Sequence, residues 1–220
     1  MNSGFILGIL MSLSTPTDSN IKQTISLSCQ PPCIMAITAP IIIEVNDFTE
    51  ESSKKFEEQM NAAQQTGQTI IPIVIDSYGG SVYALLRFIS VIQASKIPVA
   101  TIITGKAMSC GAALFMMGKE GYRFAGKQST ILIHELSGGA DGKLNDMKIT
   151  VEEAERLNNI IFSLMDKNTG HPLGFFIKII KEKGYADWYI SAQDATKFNI
   201  VNKIGIPEFK TQVDVKYILE

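Results

Sequence analysis

Apolar and polar positions along the chain follow two periods, which predict strands that alternate with helices. The β-branched run from Ile70 to Ile75 has the pattern of a strand buried on both faces. Between residues 81 and 95 apolar side chains recur at helical spacing (Val82, Leu85, Leu86, Ile89 and Ile92). Similar runs predict strands over 40–45, 98–104 and 129–134, helices over 48–65, 109–117, 145–167, 172–183 and 191–197, and a last extended piece over 212–218. Strands alternating with helices indicate an α/β domain with mainly parallel pairing.

The boundaries of these elements carry further signals. Asp47, with Glu50 three residues later, predicts the cap of the helix over 48–65. Residues 12–38 are rich in Ser, Thr and Pro without a period, so they predict an irregular lead-in. The apolar stretch 5–11 is too short to span a bilayer and has no positive residue before it. We therefore expect an N-terminal arm or propeptide over 1–38 and one domain over 39–220.

Composition narrows the class of protein. An apolar fraction of 45% and a net charge of −2 over 220 residues are typical of a soluble globular domain. The 20 Lys and Arg residues are spread along the chain, which argues against nucleic acid as a partner, and no membrane contact is predicted. Three cysteines make no disulfide framework, so a reducing, cytoplasmic setting is expected. Cys29 and Cys33 have no second Cys or His cluster beside them, and no metal site is predicted.

Two polar side chains lie where catalysis could use them. Ser109 opens an apolar helix within a run of small residues, 107–113. Its hydroxyl needs a base to become a nucleophile, and the chain offers two histidines. His134 ends a strand and can face a site at the sheet edge, whereas His171 follows the long helix and resembles a turn or cap residue. Each feature alone has an ordinary structural explanation, which is close helix packing for Ser109 and a local hydrogen bond for His134.

An acyl-transfer site also needs an orienting carboxylate and two oxyanion donors. The downstream aspartates Asp141, Asp146, Asp166, Asp187 and Asp194 all remain candidates by pattern alone. The N–H of Cys110 lies at a helix start, where the dipole favours negative charge. Gly80, in the strand-end turn 76–81, can supply the second N–H.

At these residues the sequence resembles the proteolytic subunit of the Clp protease. That family has a Pro-Gly-Gly turn, an Ala-Ser-Met-Gly-Ala run and an Ile-His-Gln segment, followed by an aspartate, an aromatic residue, a leucine and Ser-Ala. The matching segments here are Tyr78-Gly79-Gly80, Met108-Ser109-Cys110-Gly111-Ala112, Ile133-His134-Glu135 and Asp187-Trp188-Tyr189-Ile190-Ser191-Ala192. They occur in the same order, and the spacing from Gly80 through Ser109 to His134 matches without gaps. The resemblance covers roughly residues 40–206.

The resemblance implies a serine endopeptidase of the Clp/crotonase α/β fold, with repeated β-β-α units and a protruding handle helix. Ser109 would be the nucleophile, His134 the base and Asp187 the third triad member, with Gly80 and Cys110 N–H groups as the oxyanion hole. The family forms heptameric rings, usually stacked in pairs, around a chamber that receives polypeptides from a hexameric ATP-hydrolysing unfoldase. The segment 136–143 and the helix 145–167 would join the rings, and the subunit itself would need no cofactor.

Three departures from the family pattern accompany the match. Tyr78 replaces the proline before the glycine pair, and Cys110 replaces the methionine, which leaves a backbone donor in place. Ala186 stands where the family has an arginine associated with ring–ring contact. These departures bear on the substrate-facing loop and on double-ring assembly.

Three other functions are compatible with parts of the sequence. A catalytically silent ring subunit would usually lack one triad residue, and this chain has all three. A crotonase-fold acyl-CoA hydratase or isomerase shares the paired oxyanion donors but uses acidic residues, and no suitably placed glutamate follows Gly111. A serine–lysine peptidase would need Lys106 or Lys119, the lysines nearest to Ser109, as its base.

Overall fold

Strands and helices alternate through the 18–22 and 39–212 segments, which are the residues that the computed structural model describes. In chain order the elements are β1 (Asp18–Lys22), β2 (Ile43–Val45), α1 (Glu50–Ala63), β3 (Ile71–Ser77), α2 (Val82–Ala94), β4 (Val99–Met108), α3 (Cys110–Met116), β5 (Arg123–Ala125), β6 (Thr130–Ile133), α4 (Leu144–Thr169), α5 (Phe175–Glu182), β7 (Trp188–Ser191), α6 (Ala192–Ala195), a 3-10 turn (Thr196–Phe198), β8 (Lys203–Ile204) and β9 (Phe209–Gln212). The predicted alternation is confirmed, and the short strands β5, β7 and β8 are additional to it.

Within the described residues, seven strands form one sheet, which is parallel apart from one pair. Its main path runs β2-β3-β4-β5-β8. The long strand β4 pairs with two strands in succession. Its residues 101–103 pair with β5, and its residues 106–108 pair with β6. β6 then pairs with β7 in the antiparallel sense. This fork brings the ends of β4, β6 and β7 side by side.

The core lies between the sheet and its helices. β3 is apolar at nearly every position because both of its faces are covered, as expected for a central parallel strand. α3 is buried along its whole length. The long helix α4 differs, since every residue from 141 to 152 is exposed and burial begins only in its second half, so its first half projects from the domain as the predicted handle helix.

The start of α1 differs from the predicted cap. Thr49 is the N-cap residue, and it exchanges hydrogen bonds with Ser52 in a capping box. Asp47 instead accepts a hydrogen bond from the Thr49 hydroxyl. The prediction of Asp47 and Glu50 as the cap was wrong because threonine and serine two residues further on satisfy the same geometric rule.

The N-terminal arm is described only at β1, which pairs in parallel with β9. Residues 18–22 are therefore a strand rather than part of an irregular lead-in, since the chain's far end supplies their backbone partners, which no local period reveals. The apolar stretch 5–11, the two cysteines Cys29 and Cys33, and most of the predicted extended piece 212–218 lie outside the described residues.

A buried arginine side chain links several segments of the C-terminal half of the fold by hydrogen bonds. The Arg123 side chain is fully buried on β5. Its guanidinium donates to the carbonyl oxygens of Gly118, Asn168, Asn199 and Ile200 and forms an ion pair of 2.7 Å with Glu120. Because each N–H that leaves water finds an acceptor, the charge is tolerated in the core.

Candidate active site

Three strand ends place the predicted triad residues beside one another. Ser109 follows the last residue of β4, and its N–H donates to the Leu132 carbonyl of β6 at 2.9 Å. His134 follows the last residue of β6, whose Ile133 pairs with Trp188 of β7. Asp187 precedes Trp188, so continuing this antiparallel register by one residue sets Asp187 opposite His134. The order across the sheet is therefore Ser109, His134, Asp187.

The backbone at Ser109 is strained. Ser109 joins β4 to α3 with φ 55° and ψ −119°, in the region of positive φ that non-glycine residues seldom adopt. Such a conformation costs roughly 1–2 kcal/mol and persists only where the surrounding structure imposes it. A sharp strand-to-helix turn of this kind presents a hydroxyl at the sheet edge, in front of the helix N-terminus.

The glycine pair packs directly against this turn. A β-carbon at Gly79 would lie 2.8 Å from the Ser109 Cβ and 3.3 Å from the Cys110 nitrogen, and Gly79 has φ +107°. A β-carbon at Gly80 would lie 2.7 Å from the Phe48 carbonyl oxygen, and φ is +151°. Only glycine fits both positions, because side chains are excluded by contact and by backbone conformation.

The two predicted oxyanion donors belong to adjoining segments. Cys110 is the first residue of α3, and a helix leaves its first N–H groups without intrahelical acceptors. The Cys110 thiol donates to the Gly80 carbonyl at 3.2 Å, which ties the helix start to the glycine turn. Burial raises the pKa of the thiol, and hydrogen bonds with Gly80 and Ser109 offset this in part.

Ser109 and His134 line one pocket. Its walls are mostly apolar and come from α2, α3, β6 and α4, including Val82, Leu85, Ala113, Ile161, Phe162 and Met165. Cys110, Glu135 and Asn158 add polar groups to the same lining. A mostly apolar concavity with a few convergent polar groups is the usual form of a ligand site. The sequence did not indicate Asn158, whose amide oxygen accepts a hydrogen bond from the Leu136 N–H at 3.0 Å.

The triad is not closed by hydrogen bonds in this structure. Among the described residues, none joins the side chains of Ser109, His134 and Asp187, and Asp187 is exposed. Hydrogen bonds between catalytic groups are often long in a free enzyme and tighten when substrate binds. The structure therefore brings the three residues to one sheet edge but leaves Asp187 open to solvent.

The remaining histidine and aspartates of the sequence prediction have structural partners or lie on the surface. His171 stacks on Phe175 with 3.7 Å between ring centroids, and its Nε2 lies 2.8 Å from the Phe198 carbonyl. Buried Asp166 accepts the N–H groups of Gly174 and Phe176. Asp194 pairs with Lys197, and Asp141 and Asp146 are exposed near the start of α4.

Neither lysine near Ser109 is suited to act as its base. Lys106 Nζ lies 3.0 Å from Asp76 and 4.3 Å from the ring centroid of Tyr78. The hydrogen bond from Lys106 lowers the pKa of Asp76, so the Lys106 amine is engaged with an ionised carboxylate rather than with Ser109. Lys119 Nζ faces the Tyr122 ring instead. A general base must lie within hydrogen-bond reach of the proton that it accepts, and both amines are engaged elsewhere.

Neither a metal-binding cluster nor a membrane-spanning helix occurs in the described segments. No group of three or more His, Cys, Asp and Glu residues could hold a metal ion within 18–22 and 39–212. No helix in this part of the chain is long and apolar enough to cross a bilayer.

A comparison with protein-family models gives a match that covers most of the chain. The family described as Clp protease matches residues 32–208, which is well over half of the 220-residue chain. The parallel sheet, its flanking helices and the projecting α4 are those of the Clp/crotonase type of α/β fold. The chain therefore belongs to the Clp protease family.

Proposed function

We propose that this chain is a serine endopeptidase that hydrolyses peptide bonds of unfolded or delivered polypeptides, with Ser109, His134 and Asp187 as its triad. One observation carries the proposal. The registers of β4 with β6 and of β6 with β7 set the three residues at neighbouring strand ends, in the order that a nucleophile, base and orienting acid require. Membership of the Clp protease family supports the same chemistry.

The reaction would begin at Ser109. His134 accepts the hydroxyl proton while the Ser109 oxygen attacks the peptide carbonyl, and it then gives that proton to the leaving amine. Water attacks the resulting acyl-enzyme with His134 again as base, which releases the second product and regenerates the serine. Asp187 would hold the imidazole in the tautomer that leaves Nε2 free to accept the proton.

The oxyanion would be stabilised at the junction of the glycine turn and α3. The N–H groups of Gly80 and Cys110 are the proposed donors, and the thiol–carbonyl hydrogen bond between these residues fixes their spacing. Such preorganised donors act only as charge develops on the carbonyl oxygen. The positive end of the α3 dipole adds to their effect.

Assembly into heptameric rings, stacked through the handle, completes the proposal. The projecting half of α4 exposes apolar side chains that a single domain has no reason to present (Leu144, Met147, Ile149 and Val151). Polypeptides would reach the chamber from a hexameric ATPase unfoldase in the cytoplasm. The division into an arm over 1–38 and a peptidase domain over 39–220 belongs to the same proposal.

The proposal is tested by labelling with a fluorophosphonate probe and by the assembled mass in solution. We expect labelling of a ring-sized particle, and its loss in Ser109→Ala and in His134→Ala. Asp187→Asn should slow labelling by roughly 10³-fold or more, because the wrong imidazole tautomer is then favoured. Asp194→Asn is the matched control and should label like the wild type. Labelling of Ser109→Ala, or equal rates for both aspartate variants, would refute the assignment.

A catalytically silent ring subunit is the second candidate. Two observations favour this role. Asp187 is exposed, and no hydrogen bond joins the side chains of Ser109, His134 and Asp187 among the described residues. A ring-sized wild-type particle that fails to label would support this role. A labelled monomer or dimer would keep the chemistry and exclude the chamber.

A further inference from the structure

One carboxylate in the candidate pocket differs from the other shielded acids. Among the described residues, five carboxylates are buried or half-buried. Four of them have an ion pair or backbone hydrogen bonds: Glu57 with Arg87, Asp76 with Lys106, Glu153 with Arg156, and Asp166 with two N–H groups. The fifth is Glu135, which has neither within the part of the chain that the structure describes. Because Glu135 is half-buried and has no partner among these residues, its carboxylate can bind a cationic group from outside the domain.

The position of Glu135 is fixed from both sides. Ile133 is held in the ladder with Trp188, and the Leu136 N–H is held by Asn158 at 3.0 Å. Glu135 lies between these anchors, follows the proposed base His134 and lines the pocket with Ser109. Glu135 is therefore held in the lining of the pocket that contains Ser109.

The surroundings increase the effect of that charge. Most of the lining is apolar, and a less polar environment strengthens the attraction between opposite charges. The other titratable lining groups are His134 and Cys110, and burial raises the pKa of the Cys110 thiol, which keeps it neutral near pH 7.

We infer that Glu135 is a specificity-determining residue that binds a cationic side chain, lysine or arginine, of the polypeptide next to the scissile bond. The inference rests on the proposed peptidase function, because it assigns the substrate class of that site. An ammonium or guanidinium group would supply the missing partner of the carboxylate, whereas an acidic side chain would be repelled.

The test compares fluorogenic peptide coumarin amides that carry lysine, norleucine or glutamate at the first or second residue before the cleaved bond. Wild-type protein should prefer lysine to norleucine. Glu135→Gln should lower the ratio of kcat/KM for the lysine peptide to that for the norleucine peptide by about tenfold or more, equivalent to about 1.4 kcal/mol. Glu58→Gln removes the same charge from an exposed site on α1 and should leave this ratio unchanged.

A binding measurement separates this inference from the proposed function. Fluorescence anisotropy with Ser109→Ala and the Ser109→Ala/Glu135→Gln double variant needs no turnover. Tighter binding of the lysine peptide only when Glu135 is present would support the inference even if the wild type failed to label with fluorophosphonate. Equal binding of lysine and norleucine peptides would overturn it. A second result would also overturn it. If Glu135→Gln shifted the pH dependence of kcat/KM equally for the lysine and norleucine peptides, Glu135 would act on His134 and not on the substrate side chain.

Discussion

Replacing Gly79 with alanine is expected both to slow the reaction of the proposed nucleophile Ser109 and to destabilise the fold. The new β-carbon would lie 2.8 Å from Ser109 Cβ and 3.1 Å from the Met108 carbonyl oxygen. Carbon atoms in contact are normally about 3.5–4.0 Å apart, so the Ser109 turn would have to move by roughly 0.7 Å or more. A displacement of about 1 Å at a reacting atom costs on the order of 100-fold in rate.

The stability cost of the same change has two parts. Alanine at φ +107° adds backbone strain of roughly 1–2 kcal/mol, and the overlap with the turn adds about 1–3 kcal/mol. Gly121→Ala is the matched control, because Gly121 has φ +83° but nothing within 4 Å of the point that a β-carbon would occupy. This control should lose only the stability that the backbone strain costs. The loss corresponds to a fall in Tm of roughly 2–8 °C for a chain of this size.

The assay measures fluorophosphonate labelling rate and thermal unfolding on both variants. We expect Gly79→Ala to label roughly 100-fold more slowly than the wild type and Gly121→Ala to label at the wild-type rate. Wild-type labelling by a folded Gly79→Ala variant would refute the inference that the glycine turn positions Ser109, the proposed nucleophile. Slow labelling by Gly121→Ala would show that general destabilisation explains the effect.

Two further predictions concern buried groups. Arg123→Lys should lower the free energy of unfolding by about 3–5 kcal/mol in urea titration, because lysine cannot reach all the carbonyls that the buried guanidinium satisfies. Arg156→Lys is the control and should leave the urea midpoint nearly unchanged, because that side chain is exposed. Equal effects of the two substitutions would contradict a stabilising role for the buried Arg123 side chain. Burial raises the folded pKa of Cys110, so iodoacetamide should modify this residue slowly at about pH 7.5 until urea is added, as read by peptide mass spectrometry. The stabilisation from the protonated thiol is complete below the unfolded pKa and is lost as pH rises through the folded one, and equal alkylation of folded and unfolded protein would argue against this shift.

Much of the fold was predictable because its central strands and helices are marked by local patterns. The run Ile70 to Ile75 is apolar on both faces, which identifies a central parallel strand whatever its neighbours are. β5 and β7 have three and four residues, too few to reveal a period, and neither was predicted. The predicted cap of α1 was wrong because Asp47 and Thr49 both lie near the helix start and both are favoured N-cap residues.

The sequence alone shows the serine, histidine, aspartate and glycine residues that a serine peptidase needs. It also shows their order along the chain and their resemblance to the Clp family pattern. That information left five aspartates equal until the resemblance favoured Asp187. The antiparallel pairing of β6 with β7, which sets Asp187 opposite His134, became known only from the folded chain. The same holds for Glu135, which lies in the Ser109 pocket without a partner among the described residues. Such facts depend on strand register and on contacts between distant segments, and neither leaves a trace in local periodicity.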